Sequence, residues 1–389
     1  MRVLVLTCAV CALAAPALAG WVQLNSGTMT DLDGAGFWSS TRGCVTCGGH
    51  VMRTTDGGTT WDSLPGPNMF TLAAITFAID LYSGAETTGY VVASGGKIAK
   101  STDAGATWVR ESSGVTVDLR AITWSHKMPV FDNTSYVCGG DGTEGVVLKT
   151  TDAGQTWVRQ SVNPGHPIAA VDFPVEGQTG FASGWSGVLL KTTDGGAHWD
   201  SLSSGTTSDL VGISFPRDTL TGYVCGSGGV ILKTTNGGAT WVSEPTGVSD
   251  YLASVSFPTS ETGYAAGASG TIIKTTNGGS TWVKQVSGTS YFLSAIQFPL
   301  NTQTGYAVGR NGVILKTTDG GAAVEETPSA EVRATNAGAT VLHSLPTGAV
   351  VFDAMGRRAV SPKSGVYFVR EQGWRRFEDS KVAKVLLVD

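Results

Sequence analysis

A nine-residue segment recurs seven times along this chain and constrains its fold more than any other feature. Its clearest copy is Lys-Thr-Thr-Asn-Gly-Gly-Ala-Thr-Trp at 233–241. The fourth position of the segment is occupied by Asp56, Asp103, Asp152, Asp194, Asn236, Asn277 and Asp319. Successive copies are about 40 to 50 residues apart, a period typical of propeller blades and other repeat arrays. The sequence therefore predicts a ring or stack of similar units.

Each repeat contains four short segments with the character of β-strands. In the repeat at 209–244 these segments are 210–215, 221–226, 230–234 and 240–243. The glycine-rich and Asn-Gly-Gly sequences between them favour hairpin turns. Four strands joined by hairpins form one antiparallel sheet, which cannot bury both apolar faces alone, so neighbouring sheets must stack on it. We therefore predict an all-β fold, a seven-bladed β-propeller of four-stranded antiparallel blades.

The last repeat lacks its fourth strand. After Asp319 the chain reads Gly-Gly-Ala-Ala-Val, where Thr and Trp stand in the other copies. The sequence Trp-Val-Gln-Leu-Asn-Ser-Gly-Thr at 21–28 resembles Trp-Val-Lys-Gln-Val-Ser-Gly-Thr at 282–289, which follows the sixth copy. We predict that this N-terminal strand completes the last blade and closes the ring, leaving no long open sheet edge. The propeller is assigned to residues 21–324.

The repeated turn has the chemistry of an Asp box. The Asp or Asn oxygen can accept hydrogen bonds from nearby backbone N–H groups and fold an Asx-type turn. The glycine two positions later tolerates a positive φ, and the tryptophan buries a large ring between sheets. The tryptophans of the complete copies are Trp61, Trp108, Trp157, Trp199, Trp241 and Trp282. We predict structural roles for these residues, because an acid that performs chemistry does not need seven copies. We also predict a structural role for the basic residue before each turn, because its long stem can lie on apolar surface while its charged head reaches water.

Composition excludes several classes of function. The chain has 389 residues, 15% of them charged, 53 glycines and a net charge of −5. This balance is typical of turn-rich β proteins and lacks the basic surface of a nucleic-acid-binding protein. We therefore predict no nucleic-acid partner, no metal and no cofactor.

The first 20 residues have the pattern of a secretory signal peptide. Arg2 provides the positive n-region, 3–15 the apolar h-region, and the small-x-small sequence ending at Ala19 the cleavage motif. We predict cleavage near Ala19 or Gly20, so that the mature chain starts at Gly20 or Trp21. An N-terminal membrane anchor is the alternative, although the apolar run is shorter than the ~20 residues that a spanning helix needs. No later segment is long enough to cross a bilayer.

Four cysteines remain after cleavage, at Cys44, Cys47, Cys138 and Cys225. An exported protein could oxidise them, but Cys138 and Cys225 fall at similar places in different repeats, which a propeller holds apart. The pair Cys44-x-x-Cys47 resembles half of a metal or redox motif and lacks a second half. We expect structural or free thiols.

With its Asp boxes in place, the chain resembles the bacterial-neuraminidase-repeat propellers, and among them the photosystem II assembly/stability-factor-like family. Repeats of that family read Ile-Leu-Lys-Thr-Thr-Asp-Gly-Gly-x-Thr-Trp, and 231–241 and 272–282 follow this wording closely, with Asn236 and Asn277 in place of Asp. The resemblance covers roughly residues 21–324 and implies a propeller fold. It does not imply an activity, because Asp boxes occur in enzymes and in binding proteins.

Beyond the repeats, we predict a linker at 325–335 and a small C-terminal β module at 336–389. Segments 351–357, 364–370 and 384–388 resemble the C-terminal sorting domain of the type IX secretion system. This resemblance implies delivery by secretion machinery to the extracellular or outer-membrane surface of a bacterium. The Pro-Asn-Pro opening usual in such domains is absent, and a generic β module is the alternative.

The predicted binding surface lies at the end of the blades opposite the Asp boxes. There the loops before each first strand and the turns between second and third strands meet around the channel. The main candidates are Asp118, Asp209, Asp250, Tyr251, Tyr291, His166, Trp185 and Arg310. Further candidates on these loops are Phe292, His50, Lys97, Asp141 and Glu144. Such mixed aromatic, acidic and basic side chains suit a protein, peptide or glycan ligand.

Three functions fit these observations. We favour an exported, cell-surface, non-catalytic propeller that binds a protein or glycan partner or acts as a scaffold. A glycoside hydrolase, sialidase-like or glucan-cleaving, is the second possibility, and a structural or adhesive surface protein the third. A sialidase-like site needs clustered arginines, whereas a glucan-cleaving site needs two facing carboxylates about 5–10 Å apart. The arginines in question are scattered along the sequence, at Arg42, Arg120, Arg217 and Arg310, and the carboxylates are Asp118, Asp209 and Asp250.

Overall fold

The computed structural model describes most of the repeat region and four C-terminal strands. The described residues are 20–66, 71–78, 88–125, 133–162, 164–175, 177–216, 218–321, 340–342, 350–352, 365–370 and 383–387. The chain divides into two compact units, Met1–Glu325 and Glu326–Asp389. Residues 1–19 of the predicted signal peptide, the predicted linker and Arg217 lie outside the described residues.

In the first unit the described strands form seven four-stranded antiparallel sheets, which we call blades 1 to 7. The first strand in the chain, β1 (Val22–Leu24), belongs to blade 7. Blade 1 consists of β2 (Ala35–Phe37), β3 (Gly43–Cys47), β4 (His50–Thr54) and β5 (Asp62–Leu64). Blade 2 consists of β6 (Leu72–Phe77), β7 (Gly89–Ala93), β8 (Lys97–Ser101) and β9 (Val109–Ser112). Blade 3 consists of β10 (Leu119–Trp124), β11 (Ser135–Asp141), β12 (Glu144–Thr150) and β13 (Val158–Arg159).

The remaining blades follow the same order. Blade 4 consists of β14 (Ile168–Val175), β15 (Thr179–Gly184), β16 (Leu189–Thr192) and β17 (Asp200–Leu202). Blade 5 consists of β18 (Leu210–Ser214), β19 (Gly222–Gly226), β20 (Ile231–Thr234) and β21 (Val242–Ser243). Blade 6 consists of β22 (Leu252–Ser256), β23 (Gly263–Gly267), β24 (Ile272–Thr275) and β25 (Val283–Gln285). Blade 7 consists of β26 (Leu293–Gln297), β27 (Gly305–Gly309), β28 (Ile314–Thr317) and β1.

The first strands of the blades form a closed ring. Each first strand contacts the first strand of the next blade, from β2 through β6, β10, β14, β18 and β22 to β26, and β26 contacts β2. The described residues therefore confirm the seven-bladed propeller predicted from the repeats. Helical structure among them is limited to 3-10 turns between second and third strands, at Trp185–Gly187, Ser227–Gly229, Ala268–Gly270 and Arg310–Gly312. None of the described helices is long and apolar enough to cross a membrane.

The N-terminal strand closes the ring, as the sequence predicted. Strand β1 pairs antiparallel with β28, with Val22 opposite Lys316. In blade 6 the outer strand is in the same register, with Val283 opposite Lys274. Trp21 is buried and meets the Phe298 ring edge-on at 5.9 Å, so it takes the place of the missing box tryptophan.

The hydrophobic core lies between the blades rather than in one central mass. In β23, Tyr264 and Ala266 belong to the core shared with blade 7, whereas Ala265 belongs to the core shared with blade 5. Second strands are therefore buried on both faces, which is why their sequences are continuously apolar instead of alternating. In blades 3 to 7 the aromatic residue of the second strand stacks on an aromatic residue of the next blade, as in Tyr223 on Phe257 with ring centroids 3.5 Å apart.

The interface between blades 1 and 2 departs from this pattern. Cys44 stands where the other second strands have Tyr or Phe, and Trp38 fills the space, with its ring 4.3 Å from that of Phe77. Cys44 and Cys47 belong to different inter-blade cores, so they do not form one metal or redox site. All four described cysteines are buried and free, which confirms the expectation for Cys44, Cys47, Cys138 and Cys225. Burial raises the thiol pKa of Cys44, Cys138 and Cys225, which makes them poor nucleophiles.

The second unit contains a four-stranded sheet. Its strands are β29 (Thr340–Leu342), β30 (Val350–Phe352), β31 (Gly365–Arg370) and β32 (Ala383–Leu387). The order in the sheet is β29-β32-β31-β30, and the β29–β32 pair is parallel. Strands β30, β31 and β32 overlap the three segments that resemble a sorting domain.

Truncation of Trp21 tests whether its packing holds the ring closed. Trp21 is 8% exposed, whereas the neighbouring Val22 is 55% exposed. We expect Trp21→Ala to lower the free energy of unfolding by about 3 kcal/mol, because it leaves a cavity against Phe298. Val22→Ala is the control and should change it by less than about 0.5 kcal/mol. Urea unfolding curves measure both values, and equal effects of the two substitutions would contradict the proposed role of the tryptophan.

Candidate functional site

The Asp boxes are hydrogen-bonded turns at one end of the blades. In blade 1, Asp56 Oδ1 accepts the Thr60 N–H at 2.9 Å and the Thr54 hydroxyl at 2.9 Å, and Asp56 Oδ2 accepts the Thr60 hydroxyl at 2.7 Å. The Thr54 hydroxyl in turn accepts the N–H of Gly58, whose φ is 85°. Equivalent bonds occur at Asp103, Asp152 and Asp194, with His198 Nδ1 replacing the second threonine hydroxyl in blade 4. The turn chemistry predicted from the sequence is therefore confirmed.

The two asparagine boxes show that the turn does not need a carboxylate. Asn236 Oδ1 accepts the Thr240 N–H at 2.9 Å, while Asn236 Nδ2 donates to the Thr240 hydroxyl at 2.9 Å. Asn277 makes the same pair of bonds with Thr281. An amide can reverse the direction of the second bond, so Asp and Asn are interchangeable in this turn. This supports a structural role for the whole set.

The box tryptophans pack edge-on against aromatic rings at the ends of the first and second strands. Ring centroids are 5.7–6.2 Å apart for the pairs Trp61–Phe37, Trp108–Phe77, Trp157–Tyr90, Trp199–Phe173, Trp241–Phe215 and Trp282–Phe257. Trp157 is buried and the other five are partly buried, in contact with the inter-blade cores. Their position agrees with the prediction of rings between sheets.

In blades 2 to 7 the lysine before the box joins its blade to the next one. Lys149 Nζ donates to the Gly195 carbonyl at 2.7 Å, and the Tyr136 hydroxyl donates to the same carbonyl at 2.9 Å. The other lysine-to-carbonyl bonds, of 2.5–2.8 Å, are Lys100–Ala153, Lys191–Gly237, Lys233–Gly278, Lys274–Gly320 and Lys316–Gly57. This confirms a paired, structural role for the basic position in blades 2 to 7.

The predicted binding loops meet at the other end of the blades. In an antiparallel blade the turn between strands two and three lies opposite the Asp-box turn between strands three and four. Backbone bonds join these turns to the loops before the first strands, as from the Arg310 N–H to the Phe292 carbonyl at 2.8 Å. The same connection links Trp185 to Pro167, Ser227 to Asp209 and Ala268 to Tyr251. The loops that the sequence predicted to meet at this end of the blades therefore do meet there.

The carboxylates on this face tie loops together. Asp118 Oδ1 accepts the Gly95 N–H at 3.0 Å, and Asp209 Oδ1 accepts the Ser186 N–H at 2.9 Å, in each case from the turn of the preceding blade. Asp250 Oδ2 accepts the Thr271 hydroxyl at 2.8 Å. These bonds give all three acids a structural function. Asp31 makes the equivalent bond to the Asn311 N–H at 2.9 Å.

Sequence analysis missed Asp31, although a signal was present. Asp31 precedes Leu32 just as Asp118 precedes Leu119 and Asp209 precedes Leu210. The Asp-Leu pair marks the entry into each of these blades, so alignment of the first blade on the others would have identified it.

Aromatic rings and guanidinium groups form two stacked groups on this face. The Arg120 guanidinium lies over the Trp185 ring, 4.9 Å from its centroid, and Arg120 Nη2 donates to the Gly140 carbonyl at 3.3 Å. The Arg310 guanidinium lies over Phe292 at 5.2 Å, and the Phe292 ring is 6.0 Å from that of Tyr251. We call these five residues, Arg120, Trp185, Tyr251, Phe292 and Arg310, the aromatic–arginine row.

Acidic and basic groups act on the rings of this face. Burial raises the pKa of Tyr251, Cys225 and the carboxylate of Asp209 add to the increase, and the positive charge of Arg120 opposes it. At the other end of the row Arg310 Nε lies 4.0 Å from Asp31 Oδ2. Asp33 lies beside them, and its pKa is raised by burial and by Asp31, with Arg310 acting in the opposite direction. The row therefore combines cations, aromatic rings and a local acidic group.

A β-bulge explains why Arg120 was not predicted. The pairing of β10 with β11 shifts between Leu119 and Ala121, which leaves Arg120 as the extra residue. Bulges re-aim side chains, so a strict alternation of strand faces gives the wrong direction at this position. The same shift occurs in β6, β14, β18, β22 and β26, where the bulged residues are Ala73, Ala169, Val211, Ala253 and Ser294.

Other predicted residues stand apart from the row. Tyr291 is 48% exposed and its N–H bonds to the Thr289 hydroxyl within its own loop. His166 is half-buried in the loop before β14, and His50 and Asp141 are exposed on turns of blades 1 and 3. Glu144 forms an ion pair with Arg159 of the outer strand at 2.5 Å. Lys97 lines a shallow depression of about 260 Å³ on blade 2 that contains none of the row residues.

The row suits recognition better than bond cleavage. Stacked rings and guanidinium groups offer flat apolar area and directed donors, whereas the nearby carboxylates are engaged in loop contacts. Among the described residues no group of three His, Cys, Asp or Glu side chains is arranged to hold a metal ion.

Comparison with known proteins agrees with the fold and its repeats. The family described as photosynthesis system II assembly factor YCF48 matches residues 162–245, 196–286 and 244–333. The structure of YCF48 from Cyanidioschyzon merolae is similar with a TM-score of 0.61 and 20% identity, covering 77% of this chain and 98% of that one. A structure of YCF48 bound to D1 peptide has a TM-score of 0.59 and 18% identity, with 77% and 96% covered. A search of curated proteins gives no significant match.

Replacing a box aspartate with asparagine should change the pH dependence of stability. The Thr60 N–H, followed by the Thr60 hydroxyl, lowers the pKa of Asp56 from 3.8 to about 2. A carboxyl whose folded pKa is lowered stabilises the fold above its unfolded pKa, and this contribution is lost as pH falls from about 4 to about 2. We expect Asp56→Asn to lose less free energy of unfolding in this window than the wild type, as measured by urea unfolding.

The reverse substitution provides the matched control. Asn236→Asp keeps the same turn and adds a titrating carboxyl, so we expect it to lose more free energy of unfolding over the same pH window. An identical pH dependence in the two variants and the wild type would show that the box carboxylates do not stabilise the fold by ionisation.

Proposed function

We propose that the protein is a non-catalytic propeller that binds an extended segment of a protein partner on the aromatic–arginine row. The observation that carries this proposal is the gathering of two guanidinium groups and three aromatic rings, from blades 3, 4, 6 and 7, at one end of the ring. Trp, Tyr and Arg dominate the binding energy of protein interfaces because they combine apolar area with directed hydrogen bonds.

The exposure of the row fits a ligand contact. Trp185 is 37% exposed, an unusual position for a tryptophan in a chain whose other aromatic residues mostly lie between blades. The side chain of Arg310 is 65% exposed while its guanidinium remains stacked on Phe292. Stacking restricts the rotamers of an arginine, so less entropy is lost when it binds a backbone carbonyl or carboxylate.

The comparisons support a protein partner by analogy. One of the similar structures has the same type of fold and is described as bound to a peptide. At 18% identity that similarity concerns the fold, and sites on one fold can serve different functions. The assignment to this chain therefore depends on its own row of side chains.

Truncation of the row should weaken peptide binding. A peptide selected from a random display library on residues 20–389 serves as the probe, and its affinity is measured by fluorescence anisotropy. We expect Trp185→Ala and Arg310→Ala each to weaken binding about tenfold or more, because both residues have the character of interface hot spots. The control Val242→Ala changes a residue on the outer strand of blade 5 that is 62% exposed, and should leave the affinity unchanged.

A glycan array and glycosidase assays on the same protein test the other functions. Glycan binding that depends on Trp185, with no peptide selected, would replace the protein partner by a carbohydrate. Turnover of a glycan that is lost in Asp118→Asn, Asp209→Asn or Asp250→Asn would contradict a non-catalytic role. Binding that is unaffected by both row substitutions would move the site elsewhere.

We further propose that the propeller is exported to the cell surface. The support is the signal-peptide pattern at 1–20 and the resemblance of 336–389 to a type IX sorting domain. In this proposal the secretion machinery is a second partner, recognised through the C-terminal module. The propeller then presents its row to partners outside the cell.

Deletion of residues 330–389 tests the role of the C-terminal module. In a bacterium with type IX machinery we expect the full-length protein at the surface and the deleted form in the periplasm. Protease accessibility on intact cells measures the difference. Surface delivery of the deleted form would contradict a sorting role, whereas retention of both forms in the cytoplasm would contradict export.

A further inference from the structure

Gly20, just before strand β1, contacts the seventh Asp box. The Gly20 N–H donates to Asp319 Oδ2 at 3.1 Å. Asp319 Oδ1 accepts the Thr317 hydroxyl at 2.8 Å and the Gly321 N–H at 3.0 Å, so the carboxylate is held within its own turn. The contact thus joins two segments that are 299 residues apart in the sequence.

Register identifies which box position Gly20 occupies. Val22 lies opposite Lys316, as Val242 lies opposite Lys233 and Val283 opposite Lys274. Trp21 therefore takes the position of the box tryptophan, and Gly20 takes the position that precedes it. In the other six blades that position is Thr60, Thr107, Thr156, His198, Thr240 and Thr281.

Those six residues each give the box two hydrogen bonds. Their backbone N–H groups donate to the Asp or Asn oxygen at 2.8–3.0 Å. Their side chains bond to the second oxygen or to the amide nitrogen at 2.6–2.9 Å. Glycine has no side chain, so Gly20 as an internal residue can provide one donor where the other blades provide a backbone and a side-chain contact.

We propose that proteolytic cleavage between Ala19 and Gly20 creates an α-ammonium group that pairs with the Asp319 carboxylate of the seventh box. Water hydrolyses the Ala19–Gly20 peptide bond, which leaves the carboxylate on Ala19 and the new amine, protonated at neutral pH, on Gly20. The ammonium has three N–H donors and a positive charge. It can therefore replace both contacts made by threonine in the other boxes.

This inference rests on the proposed export and makes it more specific. The sequence left two mature N-termini open, Gly20 and Trp21. A chain starting at Trp21 would lack the Gly20 donor to Asp319, so this contact favours Gly20 as the start. Processing and ring closure then become linked, because the end produced by cleavage is the group that fastens blade 7.

A double-mutant cycle on purified protein measures the pairing without requiring export. One form starts at Gly20 and the other carries one additional residue, Ala19, and each is made with Asp319 and with Asp319→Asn. We expect the Gly20 form to have a Tm higher by about 1–3 °C than the extended form when Asp319 is present. In Asp319→Asn this difference should disappear, because the ammonium has lost its carboxylate.

The cycle separates charge pairing from crowding by the extra residue. A Tm difference that persists in Asp319→Asn, or that is absent with Asp319, would overturn the ion pair. Asp56→Asn is the matched control: its partner Thr60 lies in the same box, so the two N-terminal forms should differ by the same amount with or without this substitution.

The mass of the exported protein tests the cleavage site. We expect a mature chain beginning at Gly20 when the full precursor is expressed in a Gram-negative host. A start at Trp21 or elsewhere would overturn this inference while leaving export intact. Recovery of the uncleaved precursor in the cytoplasm would overturn both, so the two failures are distinguishable.

Discussion

The propeller depends on one repeated contact, the lysine that reaches from each of blades 2 to 7 to a backbone carbonyl in the Asp box of the next blade. In four blades a tyrosine hydroxyl from the second strand shares that carbonyl, as Tyr223 and Lys233 do at Gly278. A carbonyl has two lone pairs, so both donors can be satisfied at a buried position. The Asp box holds the turn that carries this carbonyl, which explains why the Asp or Asn and the glycine two positions later recur in all seven turns while the loops at the other end vary.

Much of the fold could be predicted because its determinants are local and repeated. The period, the hairpin turns and the match between 21–28 and 282–289 led directly to seven blades and to closure by β1. The lysine contact could not be predicted in detail, since its acceptor lies in another blade about 46 residues away and belongs to the backbone. The packing of Trp38 in the space that a tyrosine would fill at Cys44 could not be predicted either, because Trp38 follows β2 whereas Cys44 lies in β3.

The residues of the candidate site were selected by location rather than by composition. Loop position was enough to select Trp185, Tyr251 and Arg310, which the structure places in the two stacked groups of the row. Arg120 required knowledge of the bulge in β10, which a strict alternation of strand faces does not predict. The acids Asp118, Asp209 and Asp250 were found at the predicted loops, yet their hydrogen bonds give them a role in the scaffold. Residue type alone does not separate these roles, because a carboxylate can either cap a turn or face a ligand.

The register of β1 means that a sequence unit counted from Trp21 differs from the unit that folds. Each such unit begins with a tryptophan and the outer strand of one blade, and continues into the three inner strands of the next. Gain or loss of a whole repeat would therefore always carry its own connection between neighbouring blades. A ring built this way can change its number of blades during evolution without passing through an open, unpaired intermediate.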